Sequence, residues 1–346
     1  MTATILDQTI RLAESPPTRR LQESRPKRRH GVFFVTDLGF ALPTIAAALE
    51  MRKKIVPGRA DIRIVTTDIP DPTVQRLHDF LEPHDIHTDV LDREYYSAFD
   101  HRLFNKTHVP ISAIGRFFMM DVVPDIYDRI LYLDGDTWPS GDPLQLLDAE
   151  LPDGCFGAAE DRSYFRRHEL GPVGQKIRTY FANLGIDGND GYFNSGVLLA
   201  DVRTWRSLCA EAFEFFLKNT ARCTYHDESA LNAVAKTRRV RLAPQWNFAN
   251  AYLEWQLKHA MPPQIIHFAG GEKPWQIPFH PYHDMYAAAF APLARLGLTF
   301  EQRSAENLQA LAQRARLRKI RDNMFMHRKF IYQRTFDRLV QTAKIQ

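Results

Sequence analysis

Short apolar runs that each stop abruptly in polar residues, separated by segments with helical spacing, dominate the pattern of this chain. The first is Gly31-Val32-Phe33-Phe34-Val35-Thr36-Asp37, followed by a helix-like stretch from Leu42 to Met51. Asp61-Ile62-Arg63-Ile64-Val65-Thr66-Thr67 repeats the pattern, with a helical Thr73–Leu81 and a short strand at Thr88–Leu91 after it. Further strands are expected at Ile130–Leu133, Cys155–Ala159, Gly196–Ala200, Val240–Leu242 and Gln264–Phe268. The alternation predicts βαβ units and an α/β fold on a largely parallel central sheet. Ligands of such sheets bind beyond the carboxyl ends of the strands, and Asp37, Asp134, Asp136 and His267 all fall there.

The two ends of the chain break the pattern. Residues 1–30 are rich in Arg, Pro, Ser and Glu, and Ser15-Pro16-Pro17 and Arg25-Pro26-Lys27 resist helix, which predicts a disordered basic tail. From about Phe300 onward, helix-favouring residues run with few breakers, and Leu317, Ile320, Met324 and Ile331 share one helical face. The expected division is therefore a tail at 1–30, a folded body at 31–290 and a basic helical extension at 291–346. Two uses suit the extension: packing on the body or on a sister subunit of a homo-oligomer, and peripheral contact with anionic lipid.

Composition narrows the setting. The 346 residues are 45% hydrophobic, enough for a substantial core. Residues 1–30 hold seven Lys/Arg and three Asp/Glu, and residues 301–346 hold eleven and four; this leaves 27 and 34, a charge of −7, for the body. An acidic body argues against nucleic acid as a partner and suits a cation-dependent site. Three cysteines without metal-ligand spacing indicate neither a disulfide framework nor a zinc site, and a reducing compartment is expected. The first twenty residues include Asp7 and Glu14 and lack a long apolar core, so no secretory signal is expected, and no apolar run reaches membrane-spanning length. Together these predict a cytoplasmic protein, with peripheral contact at the cytoplasmic membrane face through the basic helix.

The strand Ile130-Leu131-Tyr132-Leu133 ends in Asp134-Gly135-Asp136, two carboxylates separated by a glycine that leaves room for a bulky ligand. Such oxygens suit Mn²⁺ or Mg²⁺, although Asp and Gly also favour a plain turn. A second apolar strand ends in a metal-capable side chain at Ile265-Ile266-His267-Phe268-Ala269-Gly270-Gly271-Glu272-Lys273-Pro274-Trp275. Gly270 and Gly271 permit close ligand approach, and Lys273 can place a positive charge on a phosphate.

These two segments, together with Tyr192-Phe193-Asn194-Ser195-Gly196-Val197-Leu198-Leu199 and His226-Asp227-Glu228-Ser229-Ala230-Leu231-Asn232, resemble in their order the signature of glycosyltransferase family 8. With the opening strand Phe33–Asp37, the resemblance covers about residues 31–280. It implies a Rossmann-like GT-A fold, a UDP-glucose or UDP-galactose donor, a Mn²⁺ ion (Mg²⁺ as the substitute), and transfer to a saccharide or glycolipid, as in lipopolysaccharide biosynthesis, with retention of configuration. By the same resemblance Asp134, Asp136 and His267 are the metal ligands. Thr36 and Asp37 match positions that hold uracil and ribose, and Arg116 matches an arginine that reaches the donor. Asp161 and Asn194 match positions that bind the donor sugar, and Gly135, Gly270 and Lys273 complete the diphosphate site.

Each assignment has a plainer counterpart. Asp37 suits a helix cap or turn, and Asn194 suits a loop end; for Arg116 the counterpart is a plain surface arginine, but its apolar neighbours favour a buried ion pair or a ligand contact. Asp227 suits a helix N-cap, with Glu228 in the first turn complementing the helix dipole. The family usually has Asp-Gln where this chain has Asp227-Glu228, so Glu228 is a nucleophile or an electrostatic stabiliser of the transition state. The segment Tyr164–Gly188, preceded by Arg162, suits a cover over the donor. Trp246 and Trp275 suit sugar stacking or core. The competing functions are a catalytically silent nucleotide-sugar-binding protein and a sugar-nucleotide hydrolase or nucleotidyltransferase.

Overall fold

A computed structural model describes residues 30–92, 95, 111–186, 191–258, 261–324 and 326–346. The expected tail, except His30, lies outside the described residues, as do residues 187 and 188 of the predicted cover and the side chain of Met324. His30 itself opens the first strand.

The predicted strands form a seven-stranded sheet: β1 (His30–Thr36), β2 (Asp61–Thr67), β3 (Ile86–Leu91), β4 (Arg129–Leu133), β6 (Phe156–Glu160), β7 (Phe193–Asp201) and β8 (Arg239–Arg241). Their order is β3-β2-β1-β4-β7-β6-β8, and β7 runs against its neighbours β4 and β6 while the other pairings are parallel. Val32, Phe34, Ile62, Ile64, Leu131 and Leu133 are buried against one face, where helix α1 (Ala41–Lys54) packs. Phe33, Val65, Ile130 and Tyr132 are buried against the other face, which helix α2 (Val202–Asn219) covers with Trp205, Leu208 and Phe216. Burial on both faces is why these strands read as continuous apolar runs and not as alternating ones.

One expected strand lies elsewhere. Gln264–Phe268 is not in the central sheet: β10 (Ile265–His267) pairs with β5 (Thr137–Pro139) and β9 (Phe248–Ala249) in a separate three-stranded sheet. Its antiparallel register sets His267 opposite Thr137, and Phe268 N–H donates to the Asp136 carbonyl at 3.0 Å. Backbone pairing thus carries His267 to the end of β4 across the 133 positions between Leu133 and His267.

The C-terminal stretch is two helices, α4 (Ala305–Met324) and α5 (Met326–Thr342). Its expected single apolar face does not cover the body: Leu317 and Ile320 are exposed, and only Ile331 packs partly. The buried seam consists of Tyr332, Phe336 and Leu339 instead, set against Tyr164, Phe165, Phe248 and Tyr252. These positions recur at four and three residues, the spacing of one helix face. Beyond α5, Ala243 N–H donates to the Ile345 carbonyl at 2.9 Å, so the last residues return to the sheet edge.

Candidate functional site

Asp134 and Asp136 both lie beyond the end of β4 and not on the strand itself. β4 ends at Leu133, and a tight turn follows in which the Thr137 amide and hydroxyl both donate to the Asp134 carbonyl, at 3.1 and 2.8 Å. The turn is what converges the two carboxylates. At Gly135 a Cβ would stand 2.0 Å from Thr44 Oγ1 of α1, so the absence of a side chain there admits the helix. Gly196 in β7 is equally constrained, because a Cβ would lie 2.2 Å from His267 Cε1 and 2.7 Å from Asp134 Oδ2.

One carboxylate oxygen from each aspartate and one nitrogen of His267 lie within 4.8 Å of one another. His267 Nε2 is 3.2 Å from Asp136 Oδ1 and 3.8 Å from Asp134 Oδ2. Donor atoms around an octahedral Mg²⁺ with bonds of about 2.1 Å stand about 3 to 4 Å apart, so this set fits such an ion after small shifts. Two carboxylates and an imidazole also match the donor preference of Mn²⁺. His267 and Asp136 are buried while Asp134 is partly exposed, leaving an open side. Lys273 forms an ion pair with Asp136 and donates to the Phe268 carbonyl at 3.0 Å. With His267 it holds the Asp136 carboxyl well below the usual carboxylate range, outweighing the burial that pushes the other way. Gly270 takes a left-handed φ of +100°, and a Cβ there would come within 3.3 Å of the Arg162 guanidinium.

Beneath this cluster lies Arg116, 4% exposed, with Nη2 2.9 Å from Asp134 and Nε 3.1 Å from Asp227. Its Nη1 donates to the Ser195 carbonyl at 2.7 Å, and the guanidinium lies 4.5 Å from the Tyr132 ring centre. Arg116 is thus a buried ion-pair residue and not a plain surface arginine. Tyr132 adds its hydroxyl to Asp134 at 2.9 Å.

Asp227 and Glu228 sit in the first turn of α3 (His226–Ala235), whose N-cap is Tyr225, so Asp227 is not the capping residue. Asn232 clamps this helix to β7, accepting from Phe193 N–H at 2.9 Å and donating to the Phe193 carbonyl at 2.8 Å. The clamp sets Glu228 Oε2 2.9 Å from Asn194 Nδ2 and 3.3 Å from Ser195 N–H. Burial pushes the Asp227 carboxyl up to about 6, with Arg116 opposing and Asp134 reinforcing. Burial, with the nearby charges of Asp161 and Asp227, pushes Glu228 well above the usual carboxylate range, against the donors from Ser195 and Tyr192.

The remaining expected residues line the rim. The parallel register pairs Phe34 with Leu133, so Thr36 and Asp37 emerge on the same edge as the Asp134 turn. Thr36 is buried and accepts from Thr44, whereas Asp37 caps the helical turn Leu38–Phe40 through the Phe40 N–H. Asp161 caps the short helix Arg162–Arg166, accepting from Ser163 N–H at 2.7 Å. Trp246 and Trp275 are both buried, which removes them as sugar platforms. Sequence reasoning missed Asn247, which bridges Asn194 and His267. The signal was available, since a polar amide between Trp246 and Phe248 needs partners if that segment is buried.

Comparisons with known proteins agree with this geometry. The family model described as glycosyl transferase family 8 matches residues 31–277. General stress protein A of Bacillus subtilis is 29% identical over 199 residues, 52% of this chain and 65% of its own length. The lipopolysaccharide 1,2-glucosyltransferase of Escherichia coli is 25% identical over 172 residues, 46% of this chain and 48% of its own. The chain thus spans about half to two thirds of these curated relatives. The crystal structure of galactosyltransferase LgtC in complex with donor and acceptor sugar analogues superposes with a TM-score of 0.60 at 21% identity, covering 80% of this chain and 98% of that one.

Proposed function

The chain belongs to glycosyl transferase family 8 and has the GT-A fold, and on that footing we propose that it moves a hexose from a UDP-sugar to a hydroxyl of a saccharide or glycolipid acceptor, with retention of configuration. The observation that carries the reading is the cluster of Asp134, Asp136 and His267 with Lys273 at its edge. Glucose and galactose are the hexoses named for the lipopolysaccharide transferases this chain resembles, which supports either as donor sugar.

In the reaction, the bond from the anomeric carbon to the diphosphate oxygen breaks, the acceptor hydroxyl oxygen bonds to that carbon, and the hydroxyl's proton is released with UDP. Mn²⁺ or Mg²⁺ held by Asp134, Asp136 and His267 would supply a Lewis acid that neutralises the charge growing on the leaving diphosphate. Lys273 adds a positive charge that matters more as that charge grows, the condition for accelerating the step. Arg116 holds Asp134 and Asp227 in place from below. Glu228, held by Asn194 and Ser195 and shifted toward its neutral form, suits a hydrogen-bonding and electrostatic role better than that of a nucleophile, which must be ionised.

Residues 31–290 form the catalytic body in this reading. The exposed Leu317, Ile320 and Phe330, with Arg316 and Lys329 nearby, support an anionic lipid surface as the partner of the extension. The test of function is UDP release and product mass spectrometry with UDP-glucose and UDP-galactose. Transfer predicts UDP release that rises steeply when a glycan acceptor is added, with a product heavier by one hexose. Equal release with and without acceptor means hydrolysis and overturns the proposal.

A further inference from the structure

Asn247 lies in none of the sequence motifs, yet it is 2% exposed and joins the two halves of the site. Its Nδ2 is 2.9 Å from Asn194 Oδ1, and its Oδ1 is 2.9 Å from His267 Nδ1. On the far side, Asn194 Nδ2 is 2.9 Å from Glu228 Oε2. The four side chains form one unbroken file from the carboxyl in α3 to the imidazole at the end of β10.

A single backbone group dictates the direction of that file. Gly196 N–H lies 3.0 Å from Asn194 Oδ1, and a backbone amide only donates, so that atom is the amide oxygen. The amide nitrogen then faces Glu228, which is consistent with an acceptor there. Because Asn194 Oδ1 is an acceptor, the Asn247 atom beside it must be its NH₂. The other end of Asn247 is therefore its oxygen, and the ring nitrogen facing it, His267 Nδ1, must carry a proton. Reversing the file would set donor against donor in a buried place, leaving Gly196 N–H without an acceptor.

We propose that Asn247, oriented through Asn194 by Gly196 N–H, is a positioning residue that holds His267 with Nδ1 protonated, so that Nε2 keeps its lone pair for a divalent cation shared with Asp134 and Asp136. The proposal rests on the metal-dependent reading of the site. Oxygen partners on the distal nitrogen fix the orientation and raise the basicity of metal-binding imidazoles, and their loss typically weakens metal binding 10- to 100-fold. The same file ties the imidazole to Glu228, so the candidate metal ligand and the carboxyl in α3 share one support.

The experiment uses the full chain. In protein labelled with ¹⁵N-histidine and loaded with Mg²⁺ and UDP, the His267 signals, identified by their loss in His267→Gln, are expected to show the proton on Nδ1. Binding of Mn²⁺ alone is then followed by the EPR signal of the free ion. Asn247→Leu, which removes both bonds, is expected to weaken binding about 10- to 100-fold. Asn247→Asp keeps an oxygen for Nδ1–H but cannot donate to Asn194, so Mn²⁺ affinity is expected to stay within a few fold while turnover falls. Merely structural damage would lower both together. The proposal is overturned by a wild-type His267 whose Nδ1 lacks the proton, by Asn247→Leu binding Mn²⁺ as the wild type does, or by equal loss in both variants. A wild type that binds no Mn²⁺ overturns the metal reading itself, and the Nδ1 proton, expected with or without the ion, still decides for or against Asn247.

Discussion

His267 and Asp136 show how much a single residue owes to its setting. Neither is unusual in sequence, but Asp136 is held ionised between His267 and Lys273 in a buried place. Asp136→Asn is expected to remove Mn²⁺ binding and to lower turnover by at least about a hundredfold, since a catalytic cation supplies several kcal/mol and each 1.4 kcal/mol is a factor of ten. Steady-state rates across a Mn²⁺ titration check it, and an Asn variant with unchanged rate contradicts it. Asp227 behaves oppositely. Its carboxyl is raised from 3.8 to about 6, so the folded state binds its proton more tightly than the unfolded chain does. Its contribution to stability is therefore full at low pH and declines as pH rises from about 4 to about 6. Urea unfolding across this range is expected to show the decline in the wild type and a flatter profile in Asp227→Asn. Glu228→Gln is expected to keep turnover within about a hundredfold, the loss typical of one electrostatic contact; a complete loss in a folded variant would restore the nucleophile. The candidate metal ligands were legible because they follow the ends of apolar runs. Asn247 was only half legible: an amide between two aromatics calls for buried partners, but which partners is decided by the tertiary pairing that brings it to His267.

At the scale of elements, the site is an intersection of strand ends. The central strands were legible with boundaries within a few residues, since both of their faces are buried and their apolar runs are unbroken. The small sheet was not legible as a sheet: β5, β9 and β10 have three residues or fewer each, and the β5–β10 pairing joins positions more than a hundred residues apart. Glycines mark where these elements touch. Gly196→Ala is expected to displace His267 from Asp134 and cost about 1–3 kcal/mol by overpacking, with weaker Mn²⁺ binding. Gly271→Ala, where a Cβ meets nothing within 4 Å, is the control and should leave binding unchanged. Equal effects at the two positions, by thermal unfolding and EPR, would contradict the close approach of β7 to the imidazole.

Over the whole molecule, the acidic body and the basic C-terminal stretch are joined more tightly than the charge pattern suggests. Tyr332 and Phe336 complete an aromatic cluster with Phe165, Phe248 and Tyr252, and Phe248 belongs to the small sheet that carries His267. Phe336→Ala is expected to cost about 3–5 kcal/mol in urea unfolding. A cost near zero would mean that α5 does not support the body. Because truncation would remove this cluster as well, the lipid-surface proposal is better tested by vesicle co-sedimentation of Leu317→Glu, which alters only an exposed position. Reduced partitioning onto anionic vesicles is expected, and unchanged partitioning removes that role. The central claim is that the Asp134, Asp136 and His267 cluster, with Lys273, forms a diphosphate clamp completed by a divalent ion. It is tested most directly by the thermal shift of the full chain with UDP, with and without Mn²⁺. A ligand at a hundred times its dissociation constant stabilises by about 2.7 kcal/mol, so a clear upward shift is expected with UDP and Mn²⁺ together and a much smaller one with either alone. The same response to UDP with and without the ion would contradict the clamp.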